Sequence, residues 1–222
     1  SGADRTTFRE CIDRYEQEVT PKKRSAAREV SHLRILRDTV IGEMSMSRIR
    51  SADLATVRDD WERCDHSAAT IVRRLALVSH IFTTAQKKWG MESLSNPVRT
   101  VETPVVRNER SRRVSDAEIA AICSESSSME MKALIQVAVA TAMRRGEICA
   151  LRWEHVDLDE CVAFLPEAKN GNSRSVPLSS VAVGVLLQLR RKAKGPVFSL
   201  RPDSVTQAFE RLIARARATY VA

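Results

Sequence analysis

The chain has 222 residues, of which 43% are hydrophobic, 29% charged and 5% aromatic. That balance is ordinary for one or two soluble domains, and so few aromatics leave the cores to Leu, Ile, Val and Ala, which suits packed helices. The net charge is +8 and the sequence pI near 9.6, which argues against an acidic, purely solvating chain and favours a polyanionic partner. Residues 1–110 hold 20 Lys+Arg against 16 Asp+Glu, and residues 111–222 hold 16 against 12. Each half therefore carries +4, and neither is a neutral domain with a basic tail. The cysteines (Cys11, Cys64, Cys123, Cys149, Cys161) are odd in number and form no Cys-x-x-Cys pair, so a disulfide framework or zinc ribbon is not expected. Reduced, mostly buried thiols in a cytoplasmic protein are expected instead. No apolar run reaches membrane-span length and no secretory leader opens the sequence, so no membrane partner is expected.

Helical periodicity dominates the first ninety residues. Thr6 or Thr7 caps a helix to about Val19, stopped by Thr20-Pro21. Lys22-Lys23-Arg24 leads a second, basic helix, which carries Arg28 and runs to about Asp38. Ser51 caps a third, with Leu54, Val57 and Trp61 on one side. The fourth starts at Ser67 and ends at Gly90. Its stripe of Ile71, Leu75, Val78, Phe82, Ala85 and Trp89 faces a core, while Arg73, His80 and Lys87, flanked by Arg74 and Lys88, form another face. Four short helices without a strand pattern predict a helical bundle over residues 1–103.

Residues 104–113 are polar and without period, the texture of a linker. Ser115 and Glu118 then have capping-box spacing, opening a helix to about Cys123. Met131 to Met143 is almost wholly apolar and predicts a helix buried all round. A strand is predicted near Val162–Leu165, then a hairpin turn at Asn170-Gly171-Asn172, then a return strand from Arg174 to Leu178. Helices follow over Val181 to Arg191 and from about Pro202 to Ala218. Residues 114–222 thus read as α+β with a small antiparallel sheet, within a chain that is mainly α.

Two segments are recognisable. Thr141-Ala142-Met143-Arg144-Arg145-Gly146-Glu147-Ile148, with Leu151, Trp153 and Val156-Asp157 after it, resembles the first catalytic box of the tyrosine recombinases of phage-integrase type; Ala142 replaces the commoner Gly and Ile148 the commoner Leu. Lys169 beside the predicted hairpin turn, with Arg174-x-Val176-Pro177-Leu178 after it, is similar to the family's hairpin with a catalytic lysine. The order of the two halves matches too: a four-helix core-binding domain (1–103), a linker (104–113) and the first part of a catalytic domain (114–222). The family's second box, His-x-x-Arg, and its nucleophilic Tyr have no match: none of His32, His66, His80 and His155 has Arg three residues on, and Tyr220 lies too close behind Arg144 to be that nucleophile. The chain reads as truncated before those motifs.

The resemblance implies site-specific DNA recombination or integration, with strand cleavage and rejoining through a phosphotyrosine in the complete protein. Arg144 would clamp the phosphate, since a guanidinium is planar, permanently charged and able to donate two hydrogen bonds at once. Glu147 would hold the helix end or brace that guanidinium. Lys169 would protonate the leaving 5′ oxygen. Double-stranded DNA would contact Lys22, Lys23, Arg24, Arg28, Arg73, Arg74, Lys87, Lys88 and Arg174. Self-association on DNA is expected, with a bacterial or phage-encoded cytoplasmic protein as the setting. No metal and no other cofactor is expected, because cationic side chains take that place. The alternative is a catalytically inactive regulator or accessory protein derived from an integrase; a helical interaction module unrelated to strand exchange is a third reading.

Overall fold

The first long helix begins where a polar side chain can satisfy its free amides. Thr7 Oγ1 accepts from the Glu10 N–H at 3.2 Å, and the Glu10 carboxylate accepts from the Thr7 N–H at 2.7 Å, a reciprocal cap. A one-turn helix α1 (Gly2–Arg5) precedes it, and the capped helix is α2 (Phe8–Glu18). This computed structural model describes residues 2–107, 109, 111–166, 173–189 and 193–221, with side chains through Thr219. Lys169, the Asn170-Gly171-Asn172 turn and Arg191 lie outside the described residues. The chain forms two compact units, residues 1–110 and 111–222.

In the first unit α2 is followed by α3 (Ala26–Arg37), α4 (Ser51–Arg63) and α5 (Ala68–Lys88). Phe8, Cys11, Ile12 and Tyr15 of α2 repeat at helical spacing and are buried. They meet Leu33 and Leu36 of α3, Leu54, Val57 and Trp61 of α4, and the predicted stripe of α5, from Ile71 through Ala85. Trp89 is only half-buried, its indole N–H donating to Glu18 at 2.9 Å. Gly90 adopts φ +70°, the left-handed step that releases the chain from α5. One cap differs from expectation. Arg50, not Ser51, caps α4, because the Asp53 carboxylate accepts from the Arg50 N–H at 2.8 Å.

The second unit opens on the expected Ser115–Glu118 cap, with the Glu118 carboxylate accepting from the Ser115 N–H at 2.8 Å. Its elements are α6 (Asp116–Ser124), α7 (Met129–Thr141), α8 (Arg145–Cys149), β1 (Val156–Asp157), β2 (Val162–Leu165), β3 (Arg174–Pro177), α9 (Ser180–Gln188) and α10 (Pro202–Val221). The sheet is antiparallel in the order β1-β2-β3, with Leu165 opposite Arg174 at the turn end. Ala163, Leu165 and Val176 enter one core with Leu134, Val137, Ile148, Leu186, Phe198 and Leu212.

The helix expected to be buried all round is not. Met131, Leu134, Ile135, Val137 and Met143 are buried, but Val139 within the same run is more than half exposed. Its apolar residues exceed what one buried face needs, so part of the run faces outward. The helix ends at Ala142, whose φ is +51°. Left-handed backbone is costly for a residue with a Cβ, about 1–2 kcal/mol. This is the position where the resembling motif usually has Gly. Ala142→Gly is therefore expected to raise stability by about 1 kcal/mol in urea unfolding, less what glycine gains in the unfolded chain. A variant less stable than the parent would show that the Ala142 methyl makes packing contacts worth more than the strain.

Candidate active site and nucleic-acid interface

The left-handed turn at Ala142 ends one helix and places Arg144 as the N-cap of the next, α8. Glu147 is the third residue of α8, where a carboxylate favours the positive helix end. It accepts from the Arg144 backbone N–H at 2.9 Å and from Arg144 Nη1 at 2.9 Å. Arg174, the first residue of β3, donates from Nη2 to the same carboxylate at 2.8 Å. The Glu147 side chain is 7% exposed, against 51% for Arg144 and 40% for Arg174. One buried carboxylate thus orients two guanidinium groups that still reach solvent.

Burial alone would push the Glu147 carboxyl up. The Arg144 N–H and guanidinium, with Arg174 beside them, outweigh that and hold it below the usual carboxylate range. A depressed carboxyl contributes stability above its unfolded pKa and loses it as pH falls through its folded pKa. The three-residue cluster is therefore intact at neutral pH and comes apart only in acid.

Chemically, such a cluster suits a phosphodiester. Two guanidinium groups around one carboxylate leave an excess positive charge, and the Arg144 group is fixed before any anion arrives. Lys169 lies outside the described residues. Tyr220 belongs to α10, with its side chain outside the described part. Among the described residues no group of three or more His, Cys, Asp and Glu side chains is placed to hold a metal, and no helix is long and apolar enough to cross a membrane.

The expected DNA-facing cations of the first unit divide into two kinds. Lys22, Arg24, Arg28, Arg73, Lys87 and Lys88 are exposed. Lys23 and Arg74 are not part of that face, which corrects the sequence expectation. Lys23 Nζ donates to Tyr15 Oη at 2.6 Å and to Glu29 at 2.7 Å and lies over the Tyr15 ring. Glu29 also accepts from Thr20 Oγ1 at 2.8 Å, and His80 Nδ1 bonds Tyr15 Oη. This chain of polar groups spends Lys23 on joining the end of α2 to α3 and α5. His80, expected beside Arg73 and Lys87, is turned towards Tyr15 by the same chain.

Arg74 is 3% exposed and stacks over Trp61, its guanidinium carbon 5.0 Å from the ring centroid. Its Nε and Nη1 are buried without a hydrogen-bond partner. An unneutralised buried cation is costly. Arg74→Met, an unbranched apolar side chain that fills most of the same space beside the ring, is expected to raise stability by about 1 kcal/mol in thermal unfolding. A loss instead would mean that cation–π stacking on Trp61 outweighs the desolvation cost.

His32 escaped the sequence reading. It lies one turn after Arg28 on α3, and its imidazole is held below its usual pKa by burial, then by Arg74, Arg73 and Arg28. Arg28 of α3 and Arg73 and Arg74 at the start of α5 are thus near enough to bear on one imidazole. The signal was present as the i, i+4 pair Arg28 and His32, but nothing in the sequence says that Arg73 faces them.

Residues 113–216 match the sequence model of the phage integrase family. A Haemophilus influenzae protein described as "Putative integrase/recombinase" is 33% identical over 230 residues, covering 97% of this chain and 74% of that protein. The chain belongs to the phage integrase family. A second relative, the shufflon-specific DNA recombinase of Escherichia coli, is 33% identical over 215 residues, covering 93% of the chain and 56% of the recombinase. The chain thus spans little more than half of that relative's length. The lambda integrase (75–356) dimer bound to a COC′ core site shares the fold, with a TM-score of 0.79 at 18% identity over 95% of this chain and 82% of that one. The Tn1549 transposon integrase (82–397), solved with circular intermediate DNA, gives a TM-score of 0.78 at 14% identity over 96% of this chain and 80% of that one. In this phage integrase family member the Arg144–Glu147–Arg174 cluster falls within the matched residues 113–216.

Proposed function

We propose that this chain is the DNA-clamping part of a site-specific tyrosine recombinase. The first unit holds duplex DNA by its phosphates, and the second brings Arg144 to the phosphate that is cut. Arg144 stabilises the negative charge that grows on the non-bridging oxygens during attack, and Glu147 keeps its guanidinium aligned. Lys169, five residues before Arg174, protonates the departing 5′ oxygen. The nucleophile and the second phosphate clamp come from residues that this sequence does not contain in recognisable form. Protomers associate on the recombination site, as the dimeric and tetrameric DNA complexes of lambda integrase suggest.

The observation that carries this reading is the buried Glu147 carboxylate fixing a half-exposed Arg144, inside a domain that matches the family. Exposed Arg28, Arg73, Lys87 and Lys88 on α3 and α5 support the phosphate-holding role of the first unit. Arg73 and Lys87 are fourteen residues apart on one helix, about 21 Å, and so reach different phosphates. Arg73→Ala with Lys87→Ala is expected to weaken duplex binding in fluorescence anisotropy and to lower the steepness of its salt dependence by about 2. Unchanged affinity and slope in that double variant would remove α5 from the interface.

A further inference from the structure

Tyr15 is fully buried, and two groups from other parts of the bundle reach its hydroxyl. Lys23 Nζ lies 2.6 Å from Tyr15 Oη, and His80 Nδ1 is hydrogen-bonded to the same oxygen. The proton inventory fixes the direction of both bonds. An ammonium has three donors and no acceptor, so Lys23 donates to Tyr15 Oη. The hydroxyl then has one proton of its own to place. Among the described residues His80 Nδ1 is the only acceptor hydrogen-bonded to it. A buried donor left without an acceptor is costly, so Nδ1 accepts. Both donors keep their protons. Burial raises the Tyr15 hydroxyl above its usual pKa. Burial opposes the Lys23 ammonium, but Glu29 and Tyr15 outweigh it and hold that group above its usual pKa.

A neutral imidazole whose Nδ1 accepts carries its single proton on Nε2. The two ring nitrogens point in nearly opposite directions, so with Nδ1 aimed at buried Tyr15, Nε2 points away from it. His80 is an exposed residue, and its Nε2 has no partner among the described residues. A charged ring would need a proton on Nδ1 as well, which would strand the Tyr15 hydroxyl beside an ammonium. The surroundings act in the same sense. Burial, then Lys23, with Lys88 of α5, hold the ring below its usual pKa, opposed by Glu29 of α3. His80 also stands midway between Arg73 and Lys87, seven residues from each, or about 10.5 Å along α5. All three residues are exposed.

We propose that His80 is a DNA contact of a different kind from its neighbours: a neutral imidazole whose Nε2–H donates to a non-bridging phosphate oxygen, held in that tautomer by the Lys23–Tyr15 pair. The proposal rests on the reading of α5 as a phosphate-holding helix. It gives Lys23 an indirect part in binding. The Lys23 charge is spent inside the bundle, yet it sets which ring nitrogen of His80 carries the proton. A neutral donor releases no counterions, so this contact adds affinity without steepening the salt dependence. Its hydrogen bond is directional and fixes the register of α5 on the backbone, while Arg73 and Lys87 supply charge on either side.

The test reads the parent chain first, by NMR with isotope-labelled histidine. From about pH 6 to 8 the His80 ring should carry its proton on Nε2, with Nδ1 bare, and the Nε2 signal should move when a short duplex is added. A His80 ring protonated on Nδ1 would overturn the proposal without any variant. In fluorescence anisotropy His80→Ala should weaken duplex binding severalfold with an unchanged salt slope, whereas Arg73→Ala should lower the slope by about 1. Tyr15→Phe frees Nδ1 to take a proton. Its binding should therefore tighten towards the acid end of that range more than the parent's does, and the excess should vanish when His80→Ala is added. No excess, in a Tyr15→Phe chain that NMR shows to be folded, would mean that the hydroxyl does not set the tautomer. A slope lowered by about 1 in His80→Ala would make His80 an ordinary charged contact, and full affinity in that variant would remove it from the interface; either result sinks the proposal. If Arg73→Ala and Lys87→Ala also leave affinity and slope unchanged, α5 as a whole leaves the DNA, and the reading on which the proposal rests falls with it.

Discussion

Arg144→Ala in the complete recombinase is expected to slow strand cleavage by roughly a hundred- to a thousandfold, about 3–4 kcal/mol of transition-state stabilisation. The magnitude follows from what the residue does and when. In the ground state a phosphodiester carries one negative charge, shared between two non-bridging oxygens. During in-line attack further charge accumulates on those oxygens, and a preoriented guanidinium gains most at that moment. Glu147 already fixes Arg144 at 2.9 Å through Nη1, so no reorganisation is needed when the charge develops. Arg144→Lys should recover little, because an ammonium on a shorter stem lacks the planar fork that lets one edge hold Glu147 while another faces the phosphate. Duplex affinity should fall far less than the rate, since many other phosphates hold the DNA. Single-turnover cleavage of a suicide substrate, set beside anisotropy on the same duplex, separates the two. Equal losses in rate and affinity would mean that Arg144 merely binds the DNA.

Much of this architecture could be read from the residues. The α5 stripe from Ile71 to Ala85 and the Ser115–Glu118 cap are local signals, each set by spacing within one segment. The Arg box was legible as a motif, and its Glu147 as a candidate brace. What stayed hidden depends on contacts distant in sequence. Arg174 and Glu147 are twenty-seven residues apart, and no periodicity links a strand's first residue to a helix's third. Lys23 looks like any basic residue before a helix until Tyr15 and Glu29 are seen to close around it. Arg74 was misread for a geometric reason: adjacent helical residues point about 100° apart. Arg73 therefore faces solvent while Arg74 lies over Trp61. A run of basic residues says that a helix is cationic, and only the packing says which of them still have charge to offer.

DNA binding by this chain should depend steeply on salt. Its +8 net charge is divided equally between the two units, and exposed cations lie along α3 and α5. Every phosphate neutralised by Lys or Arg releases condensed counterions, so the logarithm of the association constant falls linearly with the logarithm of salt, by roughly 0.9 for each contact. Lys23 and Arg74 add nothing to that slope, because their charges are spent or buried. Exposed Arg28, Arg73, Lys87 and Lys88, with Arg144 in the second unit, suffice for several contacts. The most direct measurement is the dissociation constant of the 222-residue chain for a duplex of about 30 base pairs, by fluorescence anisotropy between 50 and 200 mM NaCl. Binding that weakens by roughly a hundredfold or more across that range is the expected result; an affinity that is unmeasurable at 50 mM, or that does not change with salt, would contradict the assignment of this chain as a clamp on DNA.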